Sequence, residues 1–223
     1  MNLSRAAWLR ILPFLAFMAL LALRGQAPDD GRWGIDTRWL YALNALVALL
    51  LLLWWRHYGE LARQNLPTWR EGLLSVAVGL LVFVLWIYLD APWMMIGEPT
   101  AVFVPVDGQG QLLWPLIAVR WIGATLLVPV MEELFWRSFL MRWLQAPVYE
   151  GVDPRRVGAK AVLLSTFVFM LAHPMWLAAI VAGLAYALLY RQSGKLWTAV
   201  MAHAVTNGAL GLWVVHSGQW QFW

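Results

Sequence analysis

The sequence contains no cysteine, so a disulfide framework, a thiolate metal site and a cysteine nucleophile are all excluded. It also lacks the H-E-x-x-H pair of zinc proteases and the G-x-S-x-G turn of serine hydrolases. Every aspartate falls outside the apolar runs, which leaves no pair for an intramembrane aspartyl dyad. These absences disfavour several classes of hydrolase.

Charged residues are scarce as well. Only 13% of the 223 residues are charged and 62% are hydrophobic, whereas a soluble domain of this length is about one quarter charged. The net charge of +4 comes from Lys and Arg in loops and forms no basic stripe, so a nucleic-acid partner is not indicated. The composition predicts an integral membrane protein whose main partner is the lipid bilayer.

Long apolar runs define the predicted fold, which is all-α and polytopic with about seven transmembrane helices. Thr68 and Glu71 form a capping-box pattern at the start of the third run. The fourth run is too long for one upright helix, and Pro115 and Pro129 predict a kink or break, with the part before Arg120 near the outer interface. The seven runs cover residues 7–23, 39–55, 72–89, 112–144, 159–173, 175–190 and 196–215.

Loop charges predict the orientation. By the positive-inside rule the N-terminus is cytoplasmic and the C-terminus outside, as expected for a bacterial inner-membrane protein. A cleaved signal peptide is the alternative interpretation of residues 1–25. The cytoplasmic cations are Arg5, Arg10, Arg56, Arg63, Arg70, Arg142, Arg155, Arg156, Lys160, Arg191 and Lys195, and the other side carries Arg24, Arg32 and Arg38 with Asp29, Asp30, Asp36, Asp90, Glu98 and Asp107.

A few polar side chains interrupt the apolar runs. Charges inside a bilayer cost at least about 2–3 kcal/mol each, so such residues are candidates for function. Counted along their helices from the cytoplasmic charges, the acidic and histidine candidates lie at similar depths, between about 12 and 20 Å. The set comprises Asn44, Arg120, Glu132, Glu133, Arg137, His173, His203 and Asn207.

The spacing of these residues separates structural from catalytic candidates. Glu133 and Arg137 are four residues apart and are expected to pair on one helix face, whereas Glu132 points about 100° away and has no such partner. His203 and Asn207 share a face of the last run. His173 directly precedes Pro174, where the helix is expected to end.

Together these groups suit the activation of water in a water-poor cavity. Glu132 would act as general base, an imidazole would share the water or bind a metal, and Asn207 would donate to the developing oxyanion. The predicted reaction is hydrolysis of a peptide or similar acyl bond without a covalent intermediate.

Three short motifs carry a family resemblance: Glu132-Glu133-x-x-x-Arg137, Phe169-x-x-x-His173 and His203-x-x-x-Asn207. In this order, between about residues 115 and 212, they resemble the motifs of the CPBP intramembrane proteases, which include the type II CAAX prenyl endopeptidases and abortive-infection-type membrane proteins. The chain also resembles, more faintly, CAAX-protease-related proteins of exosortase systems. The interpretation divides the chain into motif-free helices at 1–110 and a catalytic helical core at 111–223 within one continuous membrane domain.

The resemblance implies roles for the motif residues. Glu132 and His173 would activate water, and His203 and Asn207 would hold the oxyanion, while Glu133, Arg137 and Phe169 would support the site. If a metal is bound, zinc on Glu132, His173 and His203 is implied, and otherwise no cofactor is needed. The implied substrate is a membrane-tethered peptide or protein, with a prenylated CAAX end as the family's best-known target, and the site is expected near the midplane, opening toward the cytoplasmic half.

Two other function classes remain open at this point. A proton-coupled transporter would also place Glu and His at mid-depth, but internal repeats and paired broken helices are absent from the sequence. A non-catalytic membrane scaffold or immunity protein would keep the same motifs as a polar core.

Overall fold

The computed structural model describes residues 3–27, 34–54, 58–97 and 103–223. Within these ranges the chain is helical and no β-strand forms, apart from an isolated antiparallel bridge between Val106 and Leu112. The predicted all-α class is therefore confirmed. Five of the loop charges used for the orientation, Asp29, Asp30, Arg32, Arg56 and Glu98, lie outside the described residues.

The main helices coincide with the seven apolar runs. Four of them, α1, α3, α4 and α7, are long and apolar enough to cross a membrane. The predicted count of seven membrane crossings is thus not confirmed. The helices are α1 (Arg5–Arg24), α2 (Leu40–Trp54), α3 (Trp69–Tyr88), α4 (Trp114–Gln145), α5 (Ala159–Leu171), α6 (Trp176–Ser193) and α7 (Leu196–Ser217).

Local sequence signals explain several helix ends. The predicted capping box is present at the start of α3, where the Thr68 hydroxyl accepts from the Glu71 N–H and the Glu71 carboxylate accepts from the Thr68 N–H. Helix α6 ends at Gly194, whose φ of 71° is left-handed and favours glycine. Lys195 then begins the turn into α7, and its ammonium group binds Glu71 at 2.8 Å.

Helix α4 differs from the prediction. It runs without a break for 32 residues and contains two π-helical segments, Gly123–Leu127 and Leu134–Met141. Pro115 lies in its first turn, where a missing N–H has no consequence, and Pro129 is the second residue after the first π segment. The helix therefore accommodates Pro129 through one widened, π-helical turn and does not break before Arg120.

The helices alternate in direction, so the bundle has two distinct ends. The basic end carries the start of α1, the end of α4 and the α6–α7 turn, and here Arg10 binds Glu60 through two hydrogen bonds of 2.8 and 2.7 Å. The opposite end, called the C-terminal end below, carries the end of α1, the start of α4 and the final 3₁₀ turn Trp220–Phe222. Helix α1 packs against α4 through Phe14, whose ring stacks on Phe135 at 4.2 Å.

Small residues let the helices approach closely around the centre of the bundle. A Cβ added at Gly79 of α3 would lie 2.5 Å from the Ala202 carbonyl of α7. One added at Gly183 of α6 would lie 2.9 Å from Thr166 of α5. The face Ala179, Gly183, Ala187 is fully buried, in agreement with its small-residue spacing. These contacts bring α3, α5, α6 and α7 around the polar part of α4.

Candidate functional site

The four predicted catalytic side chains line one internal cavity of about 200 Å³. Helix α4 contributes Glu132, and α7 contributes His203 and Asn207. His173 lies two residues after the end of α5. The predicted convergence of three separate helices at one level is thus present in the structure. The other residues that line this cavity include Trp86, Arg120, Ala124, Val128, Phe169, Tyr186, Thr206 and Trp223.

Glu132 lies at the cavity wall with 9% of its surface exposed. One carboxylate oxygen accepts a 3.2 Å hydrogen bond from the indole N–H of Trp136, one turn further along α4. Since an ionised carboxylate has about four acceptor sites, the other oxygen remains available to a water in the cavity. Trp136 was not a sequence candidate, although its i+4 spacing from Glu132 is the signal that could have identified it.

His173 is held from behind by backbone. Its Nδ1 lies 2.8 Å from the Phe169 carbonyl oxygen, which can only accept, so Nδ1 carries the proton. The neutral ring therefore has its lone pair on Nε2. The Phe169 ring lies 4.3 Å from the imidazole, and the edge of Trp86 from α3 lies 5.9 Å away. Backbone and aromatic contacts together fix both the tautomer and the plane of the ring.

His203 is held by Glu133 across the interface between α4 and α7. Its Nδ1 lies 2.9 Å from a Glu133 carboxylate oxygen, so this nitrogen also carries a proton and Nε2 is directed away from the pair. The Tyr186 ring stacks on the imidazole at 5.0 Å, and its hydroxyl donates to Thr206 at 2.8 Å. Nothing in the sequence pattern pointed to Tyr186.

Glu133 and Arg137 form the predicted pair at 3.1 Å, and both are buried. The guanidinium also donates to the Gly183 carbonyl at 3.1 Å and lies between the rings of Phe169 and Tyr186. One Glu133 oxygen thus receives Arg137 and His203 together, and the other has no hydrogen-bond partner among the described residues. The Glu133–Arg137 pair on α4 thus contacts His203 in the cavity wall, and spacing along the sequence could not predict this contact.

Asn207 is tied to the first π segment of α4. There the Val128 N–H donates to the Gly123 carbonyl, five residues earlier, and the next N–H in this register would belong to Pro129, which has none. The Ala124 carbonyl instead accepts from the Asn207 amide at 2.9 Å. Because a carboxamide has two N–H groups, one remains for the cavity.

The same π segment decides which residues of α4 face the cavity. The lining residues are four apart, at positions 120, 124, 128 and 132. In a regular α-helix, residues 12 positions apart point about 120° away from each other, whereas one extra residue in a wide turn reduces the difference to about 20°. Arg120 therefore shares the face of Glu132.

A second cavity, of about 350 Å³, continues from the first toward the C-terminal end. It shares Arg120, Glu132 and His173 with the inner cavity and reaches Arg24, Met95 and Gln221 at the helix ends. Under the predicted orientation this end faces away from the cytoplasm. The expectation of a site opening toward the cytoplasmic half stays a prediction, because it depends on that orientation.

The donor types of Glu132, His173 and His203 suit zinc. However, no group of three or more His, Cys, Asp or Glu is placed to hold a metal ion in the part of the chain that the structure describes. The residues thus do not form the implied ligand set in this geometry, and a metalloprotease assignment is not supported. Metal dependence stays a prediction.

Comparison with known proteins gives one result that bears on this site. A family model described as type II CAAX prenyl endopeptidase Rce1-like matches residues 113–209. The matched segment contains all three motifs, so the resemblance predicted from the sequence is confirmed. No curated protein and no solved structure matches the chain.

Proposed function

We propose that this chain is an intramembrane endopeptidase that hydrolyses a peptide bond of a membrane-associated substrate, because the Rce1-like family model matches residues 113–209. The observation that carries the proposal is the single cavity that holds Glu132, His173, His203 and Asn207. Both imidazoles are oriented by a bond at Nδ1, which leaves each Nε2 for chemistry.

In the first step a water molecule binds between the Glu132 carboxylate and Nε2 of His173. Glu132 takes a proton from this water as the oxygen attacks the scissile carbonyl carbon. The Trp136 N–H and the Phe169 carbonyl keep the two groups aimed at the same point. Glu132 later gives the proton to the leaving amine, so the step balances without a covalent intermediate.

The negative charge on the carbonyl oxygen is stabilised from α7. As an imidazolium, His203 donates from Nε2 while its Nδ1–H stays bound to the Glu133 carboxylate on the other side of the ring. Asn207 adds its second amide N–H, while the first is held by Ala124. Glu133 and Arg137 hold His203 in place, and Phe169 does the same for His173.

The finer parts of the assignment belong to the same proposal. We place seven membrane crossings, with the N-terminus in the cytoplasm and the C-terminus outside, in a bacterial inner membrane. A prenylated CAAX-type peptide is the substrate to test first because of the family match. The mechanism requires no metal ion.

The test uses the purified protein in proteoliposomes with an S-farnesylated CAAX-type peptide and a panel of lipid-anchored peptides. Glu132→Gln should reduce cleavage by about 100- to 10,000-fold while keeping the Trp136 contact, because the amide cannot act as a base. Glu150→Gln, at an exposed carboxylate remote from the cavity, is the matched control and should cleave normally. A chelator should not change the wild-type rate.

Other results would point elsewhere. Activity that disappears with chelator, together with stoichiometric zinc, would establish a metalloprotease instead. A folded wild type that cleaves no peptide of the panel would favour the scaffold or immunity protein, and solute uptake that depends on Glu132 would favour the transporter.

A further inference from the structure

Arg120 is a cation beside the active-site cavity that the proposed mechanism does not use. Its guanidinium carbon lies 4.8 Å from the ring centroids of Tyr41 and Phe103 and 5.5 Å from that of Trp223. Three aromatic rings from α2, the segment before α4 and the chain end therefore surround it. Such a cage stabilises a cation through the ring faces and fixes its position.

The cage leaves the hydrogen-bonding edge of the guanidinium unused. The Nε atom is buried and has no hydrogen-bond partner in the described ranges, and no carboxylate there forms an ion pair with Arg120. A guanidinium has five N–H donors and matches an oxyanion with two parallel bonds. A half-buried cation with no anion beside it is costly, so the arrangement calls for an anionic ligand.

Arg120 lines both the inner and the outer cavity, in each case together with Glu132 and His173. Twelve residues of helix span about 18 Å, which sets the scale of the gap between the two side-chain heads. An extended peptide advances about 3.3–3.6 Å per residue, so this gap corresponds to about five residues. An anion on Arg120 would thus sit a short peptide away from the activated water.

We propose that Arg120 binds the C-terminal carboxylate of the substrate and so sets the cleaved bond a few residues before the chain end. This inference rests on the proposed protease function and names the substrate feature that the same cavity reads. The phosphate of an anionic lipid has similar chemistry and is the competing source of the anion. The released product is a short peptide with a free carboxylate.

The test compares an S-farnesylated peptide that has a free C-terminal carboxylate with the same peptide as a C-terminal amide. Wild-type protein in nanodiscs of zwitterionic lipid should cleave the acid with a kcat/KM about 10- to 100-fold above that of the amide. Arg120→Gln should lower the ratio to about one, chiefly by slowing cleavage of the acid. Lys160→Gln, which removes an exposed cation at the basic end, should keep the wild-type ratio.

The two proposals fail in different ways. If the wild type cleaves both peptides equally, the Arg120 assignment is wrong and the protease stands. If it cleaves neither, the protease assignment fails, and equilibrium binding of a labelled tripeptide acid and its amide decides the role of Arg120. Tighter binding of the acid that is lost in Arg120→Gln supports the carboxylate site. Equal binding of the acid and the amide overturns it. If the cleavage rate depends on the content of anionic lipid and not on whether the peptide ends in an acid or an amide, Arg120 binds a lipid phosphate instead.

Discussion

Glu132 and Glu133 are neighbours in the chain but have different surroundings. Glu132 faces the cavity and, among the described residues, accepts from Trp136 alone, whereas Glu133 is fully buried and contacts both Arg137 and His203. The 100° between adjacent positions of a helix is sufficient to separate a group that meets water from one that meets only protein. One carboxylate is thus placed to contact water, and the other to hold Arg137 and His203.

This difference gives a prediction at the scale of single residues. Glu133→Gln leaves Arg137 buried without a carboxylate, so the free energy of unfolding should fall by about 3–5 kcal/mol. Activity should also fall more than tenfold, because His203 loses the carboxylate that accepts from its Nδ1–H and orients the ring. Thermal unfolding in detergent and peptide cleavage measure the two effects.

Glu132→Gln is the adjacent comparison. It should be inactive but nearly as stable as the wild type, since its contact with Trp136 survives. If Glu133→Gln unfolds at the wild-type temperature, the buried pair of Glu133 and Arg137 does not stabilise the fold.

At the scale of elements, the first π segment of α4 connects a proline to a functional amide. In Pro129→Ala, residue 129 gains an N–H group. This N–H can compete with the Asn207 amide for the Ala124 carbonyl, and it also favours a regular α-turn in place of the π segment. Both effects move groups at the cavity, so cleavage should fall by about 10- to 100-fold. The measurement is kcat/KM on the S-farnesylated peptide.

Pro115→Ala is the control on the same helix. Residue 115 lies in the first turn, where the N–H has no partner in a regular helix, so this variant should retain wild-type activity. Equal activity of both proline variants would show that the widened turn has no part in the site.

The contact between α3 and α7 gives a second prediction at this scale. In Gly79→Ala the new Cβ would lie 2.5 Å from the Ala202 carbonyl and 2.8 Å from Cβ of Val205, so the helices must separate next to His203. Overpacking of this kind costs about 1–3 kcal/mol. The unfolding temperature and the cleavage rate should both decrease.

Gly72→Ala tests the same helix pair away from the close contact. Its Cβ would meet only the end of Met201, at 3.7 Å, which is an ordinary distance. This variant should behave as wild type, and a similar loss in both variants would mean that any change on this face of α3 is harmful.

For the whole molecule, the absence of cysteine allows a direct test of orientation. A single cysteine at exposed Gln219 should react with a membrane-impermeant maleimide in intact spheroplasts, and one at exposed Lys160 only after permeabilisation. This result would place the wider end of the cavity outside the cytoplasm. The reverse labelling pattern would invert the proposed topology and return the opening to the cytoplasmic side.

Sequence reasoning located the helices well because hydrophobicity and capping are properties of near neighbours. The bounds of α3, α5, α6 and α7 lie within a few residues of the apolar runs, and the capping box at Thr68 is present. The prediction for α4 was a kink or a break, and the helix is continuous with a widened turn before Pro129. A proline shows that a hydrogen bond is missing, but not that a widened turn and an amide from another helix replace it.

The sequence by itself determined the class of protein, the order of the helices and the polar residues that enter the membrane, because these follow from composition and from spacing within one helix. Only the tertiary structure decided the partners across helices. Glu133 and His203 are 70 residues apart, Asn207 and Ala124 are 83 apart, and the cage around Arg120 joins residues 41, 103 and 223. Such contacts depend on how the helices pack and on the small rotation that a π segment adds, and neither quantity is recorded in the local pattern of residues.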